Sequence, residues 1–189
     1  MKTAIIIHGM PSRDEYEHYP LCSQQHWLPW IKEQLEIKGI TTNVPEMPEP
    51  YRPNYQNWKA VFEQFHIDKD TILVGHSCGA GFLVRWLSEH TIMVGKVMLV
   101  APWIDPNHEE RESVSDFFDF EIDLLLSDRA NSVSIFISSD DESPILKTVE
   151  ILEQTLKEYV VRKFENKGHF TLGDMGTDEF PELLEEIIK

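Results

Sequence analysis

Apolar and polar positions alternate along this chain between two periods, one suited to strands and one to helices. Thr3–His8 (TAIIIH) is an unbroken apolar run ended by Gly9, the pattern of a strand covered on both faces. Ile40–Val44 (ITTNV), Thr71–Val74 (TILV), Lys96–Val100 (KVMLV) and Val133–Ser138 (VSIFIS) give four more expected strands. Tyr159–Phe164 (YVVRKF) gives a sixth, and its central Arg162 and Lys163 suit an edge. Between these runs the spacing turns helical. Trp27–Lys38 repeats apolar residues at Trp27, Trp30, Ile31 and Leu35, with Pro29 in the first turn and Gly39 at the end. Asn54–Phe65 carries a stripe of Trp58, Val61, Phe62 and Phe65, and Ala80–Glu89 one of Phe82, Leu83, Trp86 and Leu87. Ser143 is placed to cap a helix starting at Pro144 with Ile145, Val149, Leu152 and Leu156 inward. A last helix is expected over Asp178–Ile188.

Strand–helix alternation of this kind implies strands joined by right-handed crossovers. The expected fold is therefore a three-layer α/β sandwich, with about six mostly parallel strands and helices on both faces. Two stretches break the rhythm. Pro45–Pro53 holds four prolines and must be an extended surface loop. Ala101–Asp128 combines nine acidic residues and one arginine with Trp103, Phe117, Phe118 and Phe120, and is too short to be more than a local excursion. With 189 residues, the chain fits one domain spanning 1–189.

Charge and composition narrow the partners. The 33 acids against 17 bases leave a formal charge of −16, a field that repels phosphate backbones and anionic lipid, so neither nucleic acid nor membrane is expected as a partner. Only Cys22 and Cys78 occur, without ligand-like spacing to histidine, and the N-terminal apolar run is too short for a signal peptide. No stretch approaches the roughly 20 apolar residues of a membrane span. A cytoplasmic protein, monomeric or a small homo-oligomer, is the expectation. No HxxxH or HExxH spacing occurs, so neither a metal nor a cofactor is expected.

The most informative residues are Gly75-His76-Ser77-Cys78-Gly79, a G-x-S-x-G sequence lying between an expected strand and an expected helix. In that setting the serine sits at the apex of a strained turn, where the flanking glycines let neighbouring backbone approach. An alkyl hydroxyl needs an adjacent base, itself oriented by a carboxylate. After the fifth strand come Ser139-Asp140-Asp141, and after the sixth Gly168-His169-Phe170, both at the strand ends where open α/β sheets bind ligands. Ser77, Asp141 and His169 are thus the candidate triad, with Asp140 the second candidate for the acid. Candidate oxyanion donors are the backbone N–H groups of Cys78 and Met10. His76, Trp103, Phe117 and Phe118 are candidate pocket residues.

Ile7-His8-Gly9, Trp27 and Trp30, Met47-Pro48-Glu49-Pro50, the serine motif, Ser139-Asp140-Asp141 and Gly168-His169-Phe170 together give the chain a family likeness. It resembles, over nearly its whole length, the small serine hydrolases related to retinoblastoma-binding protein 9 and the bacterial YdeN-like proteins. The resemblance implies a compact α/β-hydrolase with sheet order 2-1-3-4-5-6 and no large cap, and carries the triad onto Ser77, Asp141 and His169. One departure is that Glu142-Ser143 separates the aspartate pair from Pro144, which keeps Asp140 in play. The expected chemistry is hydrolysis of an ester, thioester or amide of a small acyl substrate through an acyl-enzyme, carboxylesterase first. The alternative is a protein-binding module that retains the hydrolase frame.

Overall fold

The structure is a computed structural model that describes residues 2–108, 114 and 116–189. Glu109, Glu110, Arg111, Glu112, Ser113 and Ser115 of the acidic excursion lie outside the described residues, as does Met1. The elements run β1 (Thr3–Ile7), α1 (Arg13–His18), α2 (Leu28–Ile37), β2 (Thr41–Asn43), α3 (Tyr55–Phe62), β3 (Thr71–His76), α4 (Cys78–Glu89), β4 (Val94–Val100), β5 (Ala130–Ser138), α5 (Ser143–Thr155), β6 (Val160–Phe164), α6 (Leu172–Met175) and α7 (Pro181–Ile188). The six strands form one open sheet in the order β2-β1-β3-β4-β5-β6, and all five pairings are parallel. Among the described residues no helix is long and apolar enough to cross a membrane.

The apolar runs became strands because both sheet faces are covered. Every residue of β3 is buried, and so are Ala4–Ile7 of β1 and Val97–Val100 of β4. Right-handed crossovers put α2 and α7 on one face, where Trp27 meets Phe180 edge-on at 5.7 Å. On the other face α3 meets α4, with Phe82 packed against Tyr55, Trp58 and Phe62, and Phe62 against Trp86. Such edge-on and tilted ring pairs add to the area they bury. The acidic excursion is pinned to α4 by Arg85, whose guanidinium lies 3.7 Å from the Tyr55 ring centre, bonds the Phe117 carbonyl at 2.8 Å and also reaches the Asp116 carbonyl.

The element ends differ from the sequence reading in ways with physical causes. Ser143 is the first residue of α5 and does not cap it; Glu142 holds the cap position without a side-chain bond. Asp178 lies outside α7, which begins only at Pro181, after Phe180. The helices α1 and α6 were not expected, because each is a turn or two long and buries no residue. Both start from capping boxes, Ser12 with Glu15 and Thr171 with Asp174, so local hydrogen bonds hold them where apolar periodicity is absent.

The register aligns the carboxyl ends of the strands. Ile7 pairs with Gly75, His76 with Val100, Val100 with Phe136, and Ser138 with Phe164. The loops after β1, β3, β5 and β6 therefore leave from one edge, and the chain reverses its direction of travel across the sheet between β1 and β3, which is where such sheets bind ligands.

Phe82 is fully buried among Tyr55, Trp58, Phe62 and Phe117. Phe82→Ala should lower the unfolding free energy by about 3–5 kcal/mol in a denaturant titration. A loss below about 1 kcal/mol would show that this aromatic cluster does not anchor the helix layer.

Candidate active site

Ser77 sits between β3 and α4 with φ 54° and ψ −121°, a left-handed backbone that non-glycine residues rarely adopt. Four backbone bonds hold it there. Its N–H donates to the Val100 carbonyl at 2.9 Å, and its carbonyl accepts from the N–H groups of Ala80, Gly81 and Trp103 at 3.0, 3.1 and 3.2 Å. A Cβ on Gly79 would run into the carbonyl oxygens of Ile7 and His8, so only glycine lets α4 start this close to β1. Ser77 Oγ has no hydrogen-bond partner among the described residues, yet Trp27 Nε1 is the one such side-chain nitrogen or oxygen sealed from solvent. The Ser77 hydroxyl is therefore reachable.

The structure brings His169 and Asp141 together. His169 Nδ1 lies 3.0 and 3.2 Å from the two Asp141 carboxylate oxygens. A carboxylate accepts, so Nδ1 carries the proton and Nε2 is left with the lone pair a base requires. The Asp141 side chain is completely buried while that of His169 is 27% exposed, so the pair has a dry end and a wet end. Asp140 points elsewhere: it accepts from the Ser138 hydroxyl and, at 3.2 Å, from the Gly168 N–H. The Ser138 hydroxyl bond foremost holds its carboxyl below the usual aspartate range. Adjacent in sequence, the two acids thus hold different parts of one loop, Asp141 the imidazole and Asp140 the turn before it.

The His169 turn is held from beneath by a residue that sequence reasoning missed. Asp174 accepts from the backbone N–H groups of His169 (3.0 Å) and Thr171 (3.3 Å) and from the Thr171 hydroxyl (2.7 Å). Gly168 has φ 47°, and a Cβ there would meet the Asp174 side chain at 2.6 Å. The signal was present as Thr171-x-x-Asp174, a capping pattern directly behind the histidine.

After β1, the His8 ring organises the loop facing Ser77. His8 Nε2 accepts from the Met47 N–H at 3.0 Å, which requires Nδ1 to carry the proton, and Nδ1 lies 2.8 Å from the Gly9 carbonyl oxygen. In a trans peptide the Gly9 C=O and the Met10 N–H point in opposite directions, so binding the first to His8 turns the second away from that ring. Neither the Met10 nor the Cys78 N–H has an acceptor among the described residues. A Cβ built on Gly9 would lie 3.1 Å from Ser77 Cβ, which places this loop against the serine. Burial pushes the His8 pKa down, opposed by the Gly9 carbonyl and the Glu46 charge, and the neutral ring is the form that bridges the two loops.

His8, Cys22 and Glu46 offer one ligand atom each within 4.8 Å of one another. The histidine and the carboxylate already have partners: His8 Nε2 accepts from Met47, and the Glu46 oxygens accept from the Cys22 and Ser23 N–H groups at 3.1 and 2.8 Å. Burial, then the Glu46 charge, pushes the Cys22 thiol up to about 12. The cluster ties the proline-rich loop to the segment before α2.

The expected pocket residues divide. Phe117 is sealed in the core against Tyr55, Trp58 and Phe82 and faces no solvent; aromatic packing won over the expected place beside a substrate. Trp103 and Phe118 pair edge-on at 5.1 Å and keep only slight exposure. His76 is buried, with its Nε2 2.8 Å from the His169 carbonyl oxygen. His26, which the sequence does not single out, stands beside the site: its Nδ1 accepts from the Leu172 N–H at 3.1 Å and its ring lies 5.9 Å from that of His76.

Comparison with known proteins gives the family and the fold. The profile of the family described as serine hydrolase matches residues 6–187. YdeN of Bacillus subtilis (strain 168) is 26% identical over 186 residues, covering 95% of this chain and 91% of YdeN. Serine hydrolase RBBP9 of Rattus norvegicus is 24% identical over 185 residues, covering 96% of this chain and 91% of its own. The crystal structure of the B. subtilis ydeN gene product superposes with a TM-score of 0.80 at 22% identity, covering all of this chain and 97% of that one. Est1E of Butyrivibrio proteoclasticus with ferulic acid bound superposes with a TM-score of 0.68 at 15% identity, covering 100% and 90%. These structures share the α/β-hydrolase fold.

Two buried neutral histidines make stability depend on pH. Burial depresses the pKa of His8, and that of His76 well below the ordinary 6.5. The unfolded chain therefore takes up protons that the folded one refuses, and stability present above pH 6.5 is lost as pH falls below it. Denaturant titrations should show unfolding free energy declining from pH 6.5 toward about 5, before most carboxylates titrate. The double variant His8→Gln/His76→Gln should show a flatter profile in that window. An equally steep profile in the variant would place the titration elsewhere.

Proposed function

The chain belongs to the serine hydrolase family, and we propose that it cleaves an ester, or secondarily a thioester or amide, of a small acyl substrate with Ser77, His169 and Asp141 as its catalytic triad. The observation that carries the reading is the 3.0 Å bond from His169 Nδ1–H to the buried Asp141 carboxylate, opposite a serine held at φ 54° on the same sheet edge.

In the first half-reaction Ser77 Oγ attacks the substrate carbonyl carbon as its proton passes to His169 Nε2. The Cys78 and Met10 N–H groups, both without other acceptors among the described residues, are the donors for the oxyanion; each such donor is worth about 3 kcal/mol of barrier. His169 then gives its proton to the leaving group as the bond to the acyl carbon breaks, leaving Ser77 acylated. In the second half a water loses its proton to His169 as its oxygen attacks the acyl carbon, and Ser77 Oγ departs and takes that proton back. Asp141 stabilises the imidazolium in both halves. The Ser77–His169 hydrogen bond is not made in the free protein; links of this kind commonly tighten only once substrate is bound. One structural neighbour holds ferulic acid, which makes an aromatic acyl ester the first substrate to try.

A fluorophosphonate probe should label the intact protein at Ser77, and Ser77→Ala should abolish labelling and lower kcat by about 10⁶. On p-nitrophenyl and aromatic methyl esters, Asp141→Asn should lower kcat by about 10⁴, while Asp140→Asn should cost far less. Undiminished labelling of Ser77→Ala would sink the assignment, and a larger loss from Asp140→Asn than from Asp141→Asn would exchange the acids.

A further inference from the structure

His76 precedes the nucleophile, and its side chain reaches 93 residues along the chain to the backbone of His169. Its Nε2 lies 2.8 Å from the His169 carbonyl oxygen. A carbonyl only accepts, so Nε2 carries the proton. The ring is held on several sides: Trp27 meets it edge-on at 5.7 Å, His26 edge-on at 5.9 Å, and the His169 ring is tilted against it at 5.1 Å. It is only 3% exposed, so the donor cannot swing to water.

The carbonyl it holds lies in a segment with unusual backbone freedom. Asn166, Gly168 and Phe170 all have positive φ, so His169 sits among left-handed residues with no helix or strand to fix its peptide planes. Within the segment the Phe170 N–H donates to the Lys167 carbonyl at 2.9 Å, and three bonds from outside it tie His169 to the rest of the protein. Asp174 takes its backbone N–H, Asp141 takes its Nδ1–H, and His76 donates to its carbonyl. Three attachments not in one line define an orientation, whereas two leave rotation about the axis between them. Of the three, His76 alone is covalently next to Ser77.

We propose that His76 is a positioning residue: its Nε2–H fixes the His169 peptide relative to Ser77, so that closing the serine–imidazole gap in the substrate complex requires only a small movement. This rests on the reading of Ser77 and His169 as nucleophile and base. Burial, the largest cause, also keeps the ring neutral with its single proton on the bonding side.

Two variants separate positioning from packing. His76→Leu fills the space and removes the donor; His76→Gln keeps an N–H at similar reach. His76→Leu should lower kcat and the rate of fluorophosphonate labelling by about 10–100-fold with KM changed less than about threefold, and His76→Gln should recover most of that loss. The far-downfield proton resonance of His169 Nδ1–H should stay sharp in the wild type and in His76→Gln and broaden in His76→Leu. Wild-type rates in both variants would overturn the proposal. So would equal losses in both variants with the resonance unchanged, since that pattern follows from packing alone. A wild type that never reacts with the probe would overturn the hydrolase reading, and the resonance would still judge the clasp.

Discussion

A serine held at φ 54° is the constraint from which the rest of the site follows. Such a backbone costs on the order of 1–3 kcal/mol and persists only where its surroundings over-determine it. Here the Val100 carbonyl on one side and the Ala80, Gly81 and Trp103 amides on the other leave Ser77 no lower-energy conformation that keeps β3, β4 and α4 in place. Because β3 is the buried interior of the sheet, that strain is supported by the best-packed part of the molecule. The bare hydroxyl and the unpaired Cys78 N–H arise from the same turn, since ending a strand this sharply exposes the first amide of the helix.

The loops around Ser77 are held by a different device, imidazole rings bonded to backbone carbonyls and to a carboxylate. His8 uses its one proton to fix the Gly9 peptide, His76 binds the His169 carbonyl, and His169 itself binds Asp141. In each case burial or a fixed acceptor decides which nitrogen carries the proton. A lysine or arginine could make similar bonds only by carrying a charge into the core, which is costly without a counter-ion. Neutral histidine supplies direction without that cost near neutral pH.

The sheet was legible because its strands are covered on both faces: TAIIIH, TILV and KVMLV have no solvated side to interrupt them. The serine elbow was legible because glycine is required where α4 abuts β1, and His169 because a late Gly-His follows the last strand. What sequence could not decide was the division of labour between Asp140 and Asp141. Neighbouring acids in a turn differ only in where the backbone points them, and that depends on Ser138 at the end of β5 and Gly168 beyond β6 both bonding Asp140. Asp174 and His8 were unassigned, and His76 was read only as a pocket residue, for a related reason: a polar residue bonded to backbone leaves no periodic trace. Phe117 misled because an aromatic residue in an acidic loop looks the same whether it faces a ligand or the core.

The three groups of the site do not stand on equally firm ground. Ser77 rises from the middle of the sheet, whereas Asp141 and His169 follow β5 and β6, and β6 is an edge strand of five residues with Val160 and Lys163 open to solvent. Cooperative opening begins where contacts are few, so this border strand and the turn beyond it open more easily than the middle of the sheet. Heat or denaturant should therefore silence chemistry while most of the sheet is still standing, and the half-life of the working site is set by the grip of that border.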